Sequence, residues 1–391
     1  MQYNVRMGEK LGLYVHIPFC EKKCRYCGFL SFPGYDDEAY ERYTRALCAE
    51  IENCNEEFAA KYSVDTVFVG GGTPSLLSEE RMKRLFGSLG RTFNIEKDAE
   101  ITTESNPNSI TQEKLKTYRE IGINRLSMGA QSMDDRILNA LGRVHKSADV
   151  LRAYEAARSA GFDNINIDLM FGVPEQSLGD VINSVEQVIK LGPEHISLYG
   201  LQLEEDTIFY EEYKSGILDV PEEAEERRMY HEAVRTLKAV GYEHYEISNF
   251  ALSGRKCRHN LKYWQLDNYL GLGLGAHSYI AGSRSKVVDS MEDYLALVNA
   301  GRRPTDPKAD SFDSPKDAMG IYVFTALRKT EGVDMEDFER RFGISFFAQY
   351  RDKADIIKEY MDSGMLKMSG RFLQLTEEGI DISNDIMSEF V

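Results

Sequence analysis

Tryptophan occurs once in this chain of 391 residues, cysteine six times and proline ten times, and basic residues (47 Lys and Arg) are outnumbered by acidic ones (64 Asp and Glu). The resulting net charge of −17 argues against a general nucleic-acid-binding surface, which depends on clustered Lys and Arg. No run of about 18 apolar residues occurs, so no segment reads as a membrane-spanning helix, and Met1–Lys10 has no apolar stretch of signal-peptide length. Six cysteines in so long a chain do not make a disulfide framework, and three of them cluster, which fits a reducing compartment. The expected location is the cytoplasm. There is no low-complexity tract and no internal repeat beyond an alternation of strands and helices.

What is present is an ordinary globular balance of 42% apolar and 28% charged residues, enough for one large domain and a smaller one. Apolar runs at Leu11–Ile17, Val64–Val69, Ala99–Ser105, Asn124–Gly129, Asn164–Met170 and His195–Leu203 read as strands. Helical segments lie between them at 36–60, after Ser78, at Thr111–Ile121, within Ser132–Ala160 and at Leu178–Leu191. Strands alternating with helices imply a parallel sheet, and right-handed crossovers curl six such units into a partial barrel. Beyond Leu203 the rhythm changes: Pro221–Val240 reads as a charged helix, Glu243–Phe250 as a strand, and Arg258–Ser278 is dense in aromatic residues and glycine. Arg302–Pro315 reads as a proline-bearing linker, and the stretch from Met365 as strand, Ser-Gly turn, strand and helix, like the wing of a winged-helix module. The expected class is therefore α/β: a partial (β/α)6 TIM-like barrel over 1–205, an additional α+β layer over 206–301, and a C-terminal, mainly helical, winged-helix-like domain over 302–391.

Cys20, Cys24 and Cys27 follow the first strand in the spacing CxxxCxxC. Three thiolates on a short loop suit three irons of a [4Fe-4S] cluster and leave the fourth iron open to an outside ligand. A zinc site with His16 as the fourth ligand is the competing reading, although CxxxCxxC is not a common zinc spacing. Gly70-Gly71-Gly72-Thr73-Pro74 ends the second strand, where glycine lets backbone groups approach a ligand closely.

CxxxCxxC followed by GGGTP resembles the radical S-adenosylmethionine (SAM) superfamily. The stretches YVHIPFC, TTESNPNSI, RLSMGAQSMDDRILNALGR and NIDLMFGVPEQ bring the resemblance closer, to the group related to coproporphyrinogen dehydrogenase. That resemblance implies a [4Fe-4S] cluster on Cys20, Cys24 and Cys27. It also implies a SAM site lined by Tyr14, Tyr26, Gly71, Gly72, Thr73, Glu104, Gln131, Arg143 and Asp168. Taken singly, these residues have plainer readings: Glu104 as a capping acid beside Asn106-Pro107, Arg143 as a surface partner of Asp134 or Asp135.

His259-Asn260-Leu261-Lys262-Tyr263-Trp264 resembles the HNxxYW element of HemW-type heme chaperones, and it contains the only tryptophan. Imidazole is a natural axial ligand for heme iron, which makes His259 the heme candidate, with His277 and His244 as alternatives. A histidine between aromatic residues also commonly serves as a hydrogen-bonded packing residue. Cys257 reads as structural, since covalent heme attachment would need CxxCH.

In the dehydrogenases the motif extends to CxxxCxxCxC after a longer N-terminal segment. Here Phe29 stands in place of the fourth cysteine and 19 residues precede Cys20. Both departures resemble the chaperone branch. The expected function is a heme chaperone that binds heme and a SAM-ligated [4Fe-4S] cluster and passes heme to acceptors such as membrane-bound respiratory enzymes, with no nucleic-acid partner and with homodimerisation open to the cluster's control. The alternative is an oxygen-independent coproporphyrinogen III dehydrogenase or another radical SAM enzyme.

Overall fold

The computed structural model describes residues 9–54 and 56–391. Met1–Gly8, part of the stretch that bears on a signal peptide, and Asn55, within the expected helix 36–60, lie outside the described residues.

Six strands lie side by side in chain order and run parallel: β1 (Glu9–Ile17), β2 (Tyr62–Gly71), β3 (Ile95–Ser105), β4 (Arg125–Gln131), β5 (Ile165–Phe171) and β6 (His195–Gly200). β4 is buried along its whole length, as a strand must be when helices cover one face and a filled barrel interior covers the other. The covering helices begin where the sequence supplies caps. Asp36 accepts from Ala39 N ahead of helix Asp37–Glu52, and Ser177 with Asp180 forms a capping box on helix Leu178–Leu191. That last helix stops at Gly192, whose φ of 70° is the left-handed turn a glycine adopts freely.

The α+β segment beyond the sixth strand is present, but it does not stack as a layer of its own. Its strands β7 (Glu243–Glu246), β8 (Asn249–Ala251), β9 (Tyr269–Leu272), β10 (His277–Ile280) and β11 (Ser283–Lys286) join the barrel sheet, as does β12 (Ser311–Phe312) from the expected linker. β9 pairs parallel to β1 with Gly12 opposite Tyr269, and β10 to β12 continue antiparallel beyond it. At the other edge β8 pairs antiparallel to β6, and β7 to β8. The physical reason is plain. An open barrel has two edges with unpaired backbone groups, and these short strands cover them.

Helix Arg258–Trp264 leaves this segment to pack against the first halves of β1, β2 and β3. A side chain at Gly12 would lie 2.9 Å from Lys262 Cδ and 3.2 Å from His259 Cε1. Gly12 shares a face with Tyr14 and His16, and Glu100 shares one with Glu104, so the helix closes the N-terminal end of the barrel interior.

The C-terminal segment has a second core around Tyr322, Val323, Phe338, Phe346, Leu373 and Ile386. Leu366–Ser369 and Phe372–Leu375 form the expected wing about Gly370, with Val333–Asp334 as a third strand, and helices Glu377–Asp381 and Ser383–Ser388 close it. No helix among the described residues is long and apolar enough to cross a membrane.

Candidate cluster and cofactor site

The C-terminal ends of β1 to β6 bring the expected residues together. The cysteine loop leaves β1 and is fastened to the glycine loop after β2: Gly72 N donates to Ile17 O at 2.8 Å, and Thr73 N to Phe19 O at 2.7 Å. With those amides spent, what the glycine loop has left to offer a ligand is carbonyl oxygens, which accept from an ammonium group. Gly71 has φ 110°, and a Cβ there would lie 2.3 Å from the His16 ring, so this position admits only glycine. His16 itself is held at both nitrogens, Nδ1 being 2.9 Å from Tyr14 Oη and Nε2 2.8 Å from Leu30 O. It has no lone pair left for a metal, which removes the basis of the zinc reading. Among the described residues no three His, Cys, Asp or Glu side chains are gathered as a single-ion site.

The donor set fits a thiolate-ligated cluster. Cys20, Cys24 and Cys27 are free and half-buried, and hydrogen-bond donors are aimed at two of the sulfurs. Thr73 Oγ1 donates to Cys20 Sγ at 3.5 Å, and Arg143 Nη1 donates to Cys24 Sγ at 3.4 Å. Burial pushes the Cys27 thiol up to about 11, and the nearby sulfurs of Cys24 and Cys20 push it the same way, as expected of three sulfurs facing one region. Such donors to sulfur stabilise the anionic ligand state and tune a cluster's potential.

Asn106 ties the two halves of the site. Its Nδ2 donates to Thr73 Oγ1 at 3.1 Å and its Oδ1 accepts from Arg143 Nη2 at 2.7 Å. Arg143 also donates to Gly129 O at 2.9 Å; burial opposes its charge, but Tyr26, Cys24 and Tyr199 outweigh that and hold the guanidinium cationic. It is therefore an interior residue, not a surface partner of Asp134 or Asp135. Gln131 ends β4 with φ 66° at a break in register, and its Oε1 accepts from Tyr199 Oη at 2.7 Å. Tyr26 packs against the apolar cluster of Ile137, Leu141, Met170, Val173 and Phe209, and burial raises its phenol.

Two carboxyl groups face the interior. Glu104 accepts from Gly71 N at 3.0 Å, and burial, reinforced by Asp168, pushes it up to about 8. Asp168 is likewise raised by burial, against hydrogen bonds from Asn166 and Ser197. Two enclosed acids and one enclosed arginine suit a ligand that carries both cationic and carboxylate groups, as SAM does. A bound cluster and SAM would supply one-electron chemistry at the sulfonium, and the residues gathered here would bind, orient and desolvate the pair.

His259 is brought to a different place. It is fully buried at the closed end of the barrel, with Nδ1 2.8 Å from Thr66 Oγ1 and Nε2 2.9 Å from Tyr263 Oη. It stacks on Phe68, which stacks in turn on Tyr14, and burial pushes its imidazole down to about 3. Both nitrogens are engaged, so in this conformation His259 is a packing residue and the axial heme bond expected of it is not available. His244 is half-buried against Phe250, and His277 lies exposed on β10. Cys257 is fully buried beside Glu100, in keeping with a structural role.

A cavity of about 730 Å³ opens beside Tyr26–Phe29, between the end of β6, helix Glu223–Ala239 and the closing C-terminal helices. Phe29, at the position of the dehydrogenases' fourth cysteine, lines its mouth and is 69% exposed.

Fold and site together define a radical SAM protein. The model of the radical SAM superfamily matches residues 14–188, and that of the HemN C-terminal domain matches 313–382. The solved structure of the radical SAM enzyme coproporphyrinogen III oxidase (HemN) from Escherichia coli superposes with a TM-score of 0.86, covering 100% of this chain and 91% of that one, at 23% identity. Within that class the likeness narrows. The chain is 36% identical over 380 residues to the heme chaperone HemW of Bacillus subtilis, covering 97% of this chain and 98% of the relative. It is 37% identical over 375 residues to HemW of Mycobacterium tuberculosis, covering 95% and 92%. The chain belongs to the HemW heme chaperone family.

Sequence reading missed Asn106 and Tyr199, which orient Arg143 and Gln131 without being expected to touch SAM. The signal for Asn106 was on view, since it stands two residues after Glu104 in an Asn-Pro turn. Tyr199 lies on another strand, and nothing local announces it.

Proposed function

We propose that this chain is a heme chaperone that binds heme next to a [4Fe-4S] cluster on Cys20, Cys24 and Cys27, with SAM held by Tyr14, Tyr26, Gly71, Gly72, Thr73, Glu104, Gln131, Arg143 and Asp168. The observation that carries this reading is the likeness to HemW over 97% of the chain. The cavity beside the cysteine loop supports it, being of a volume that cofactor sites commonly have. The acceptors are heme proteins, membrane-bound respiratory enzymes among them, served from the cytoplasm. Cluster loading orders the cysteine loop and so controls heme release or homodimerisation. The chain divides functionally into the barrel (1–205), the accessory segment (206–301) and the C-terminal module (302–391).

The test is transfer. Anaerobically reconstituted, heme-loaded protein is mixed with the apo form of a b-type heme protein, and the donor's Soret band is followed. Transfer faster than heme loss to a large excess of a passive scavenger supports the proposal; equal rates contradict it. The enclosed SAM residues favour a second reading, a radical SAM enzyme acting on coproporphyrinogen, for which SAM-dependent turnover of coproporphyrinogen III would be decisive.

A further inference from the structure

The large cavity and the HNxxYW element meet at one residue, Arg328. We infer that Arg328 and Arg227 anchor the two propionate groups of heme in this cavity, and that Trp264 is the positioning residue for Arg328. This rests on the heme-chaperone reading and gives its ligand a place.

Both arginines line the cavity, and both have a buried Nε with no hydrogen-bond partner. Arg328 enters no ion pair among the described residues, while Arg227 has only Glu223 and Asp381, each 3.9 Å away. Acids line the cavity as well: Glu204, Glu223, Glu226, Asp381 and Asp385. Asp381 pairs with His231 at 3.0 Å, and Glu226 folds against Gly172 and Gly200 at the strand ends. Glu246 accepts from Asn249, and burial raises its carboxyl against the pull of the Arg328 charge. Half-buried guanidinium groups whose nearest carboxylates stand beyond hydrogen-bond distance keep donors free for the carboxylates of a ligand. Part of the wall is apolar, formed by Met170, Phe171 and the Phe29 ring, and the rest is polar. Two fork-shaped cations beside apolar walls complement a flat apolar macrocycle that carries its two carboxylates along one edge.

Arg328 lies over the indole of Trp264, 4.5 Å from the ring centroid. That contact fixes the guanidinium plane through a cation–π attraction. Trp264 is the last residue of HNxxYW, and the first residue of the motif is locked inside the barrel by Thr66 and Tyr263. The motif thus reaches heme from its tryptophan end, through Arg328, without an imidazole–iron bond from His259.

The experiment compares hemin with hemin dimethyl ester, whose propionates are neutral, by anaerobic Soret titration of reconstituted protein. The wild type binds hemin about tenfold or more tighter than the ester, the scale of a charge-assisted hydrogen bond. Arg328→Gln and Arg227→Gln each weaken hemin binding about tenfold and leave ester binding unchanged. Trp264→Leu does the same and Trp264→Phe largely restores it, with iron and sulfide content constant throughout. Equal affinity of the wild type for the two porphyrins would overturn the anchor while leaving the heme-chaperone reading intact. So would arginine variants that weaken both porphyrins alike. No saturable hemin binding by the wild type would overturn that reading, and the anchor with it.

Discussion

Replacing Glu104 with glutamine isolates the electrostatics of the enclosed carboxyl at the C-terminal end of β3. The carboxyl is enclosed, burial and then Asp168 push it up to about 8, and its one hydrogen bond from Gly71 N is a bond that glutamine's carbonyl can also accept. An acid raised on folding holds its proton in the native state where the unfolded chain has released it. Its contribution is therefore fully present below the ordinary carboxyl value, near 4.5, and is lost as pH rises through about 8. The loss runs at about 1.4 kcal/mol per pH unit across that window. Between pH 6 and pH 9 the wild type should lose about 3 kcal/mol that Glu104→Gln keeps. The assay is urea unfolding of the cluster-free protein and variant at both pH values, so that all other titrations cancel in the difference. Identical pH dependence of the two proteins would refute the placement of Glu104 in a dry pocket. A cationic ligand should draw that proton off, so calorimetry of SAM binding at pH 7 in buffers of differing ionisation enthalpy should show more proton release by the wild type than by the variant.

Three further substitutions test the architecture around the cluster. Gly71→Ala puts a methyl group into the His16 ring at a positive φ, and should cost about 2–5 kcal/mol and prevent cluster assembly, read as lost iron and sulfide after anaerobic reconstitution. Thr73→Val removes the donor to Cys20 and the acceptor for Asn106; circular dichroism should show the fold intact while the cluster's reduction potential falls, and an unchanged potential would count against the Thr73–Cys20 contact. His259→Ala should cost about 2–4 kcal/mol in thermal or urea unfolding, because it empties a packed site and strands Thr66 and Tyr263, and it should leave the spectroscopic signature of the heme's axial ligand unchanged. Loss of an imidazole-ligated spectrum in that variant would restore His259 as the iron ligand.

The barrel was legible because its strands are apolar runs between capped helices, and period and caps are local properties. All six strands and helix Leu178–Leu191 follow the sequence reading to within a few residues. The cysteine and glycine loops were legible for the same reason, since spacing alone determines what chemistry they can do. What did not show was whatever depends on pairing across the chain. Tyr269–Leu272 looks like any short strand, and only the open edge left by β1 makes it parallel to that strand more than 250 residues earlier. His259 looked like a ligand because its neighbours are aromatic, yet Thr66, which fixes its fate, comes from β2. Arg328, 64 positions after Trp264, carried no signal until the fold laid its guanidinium on the indole ring.

The most direct test of the central claim is an anaerobic hemin titration of the reconstituted protein, with iron–sulfur and Soret absorbance recorded together. The account predicts one saturable heme site filling while the cluster absorbance persists. Heme uptake that never saturates, or that proceeds only as the cluster is lost, would contradict it.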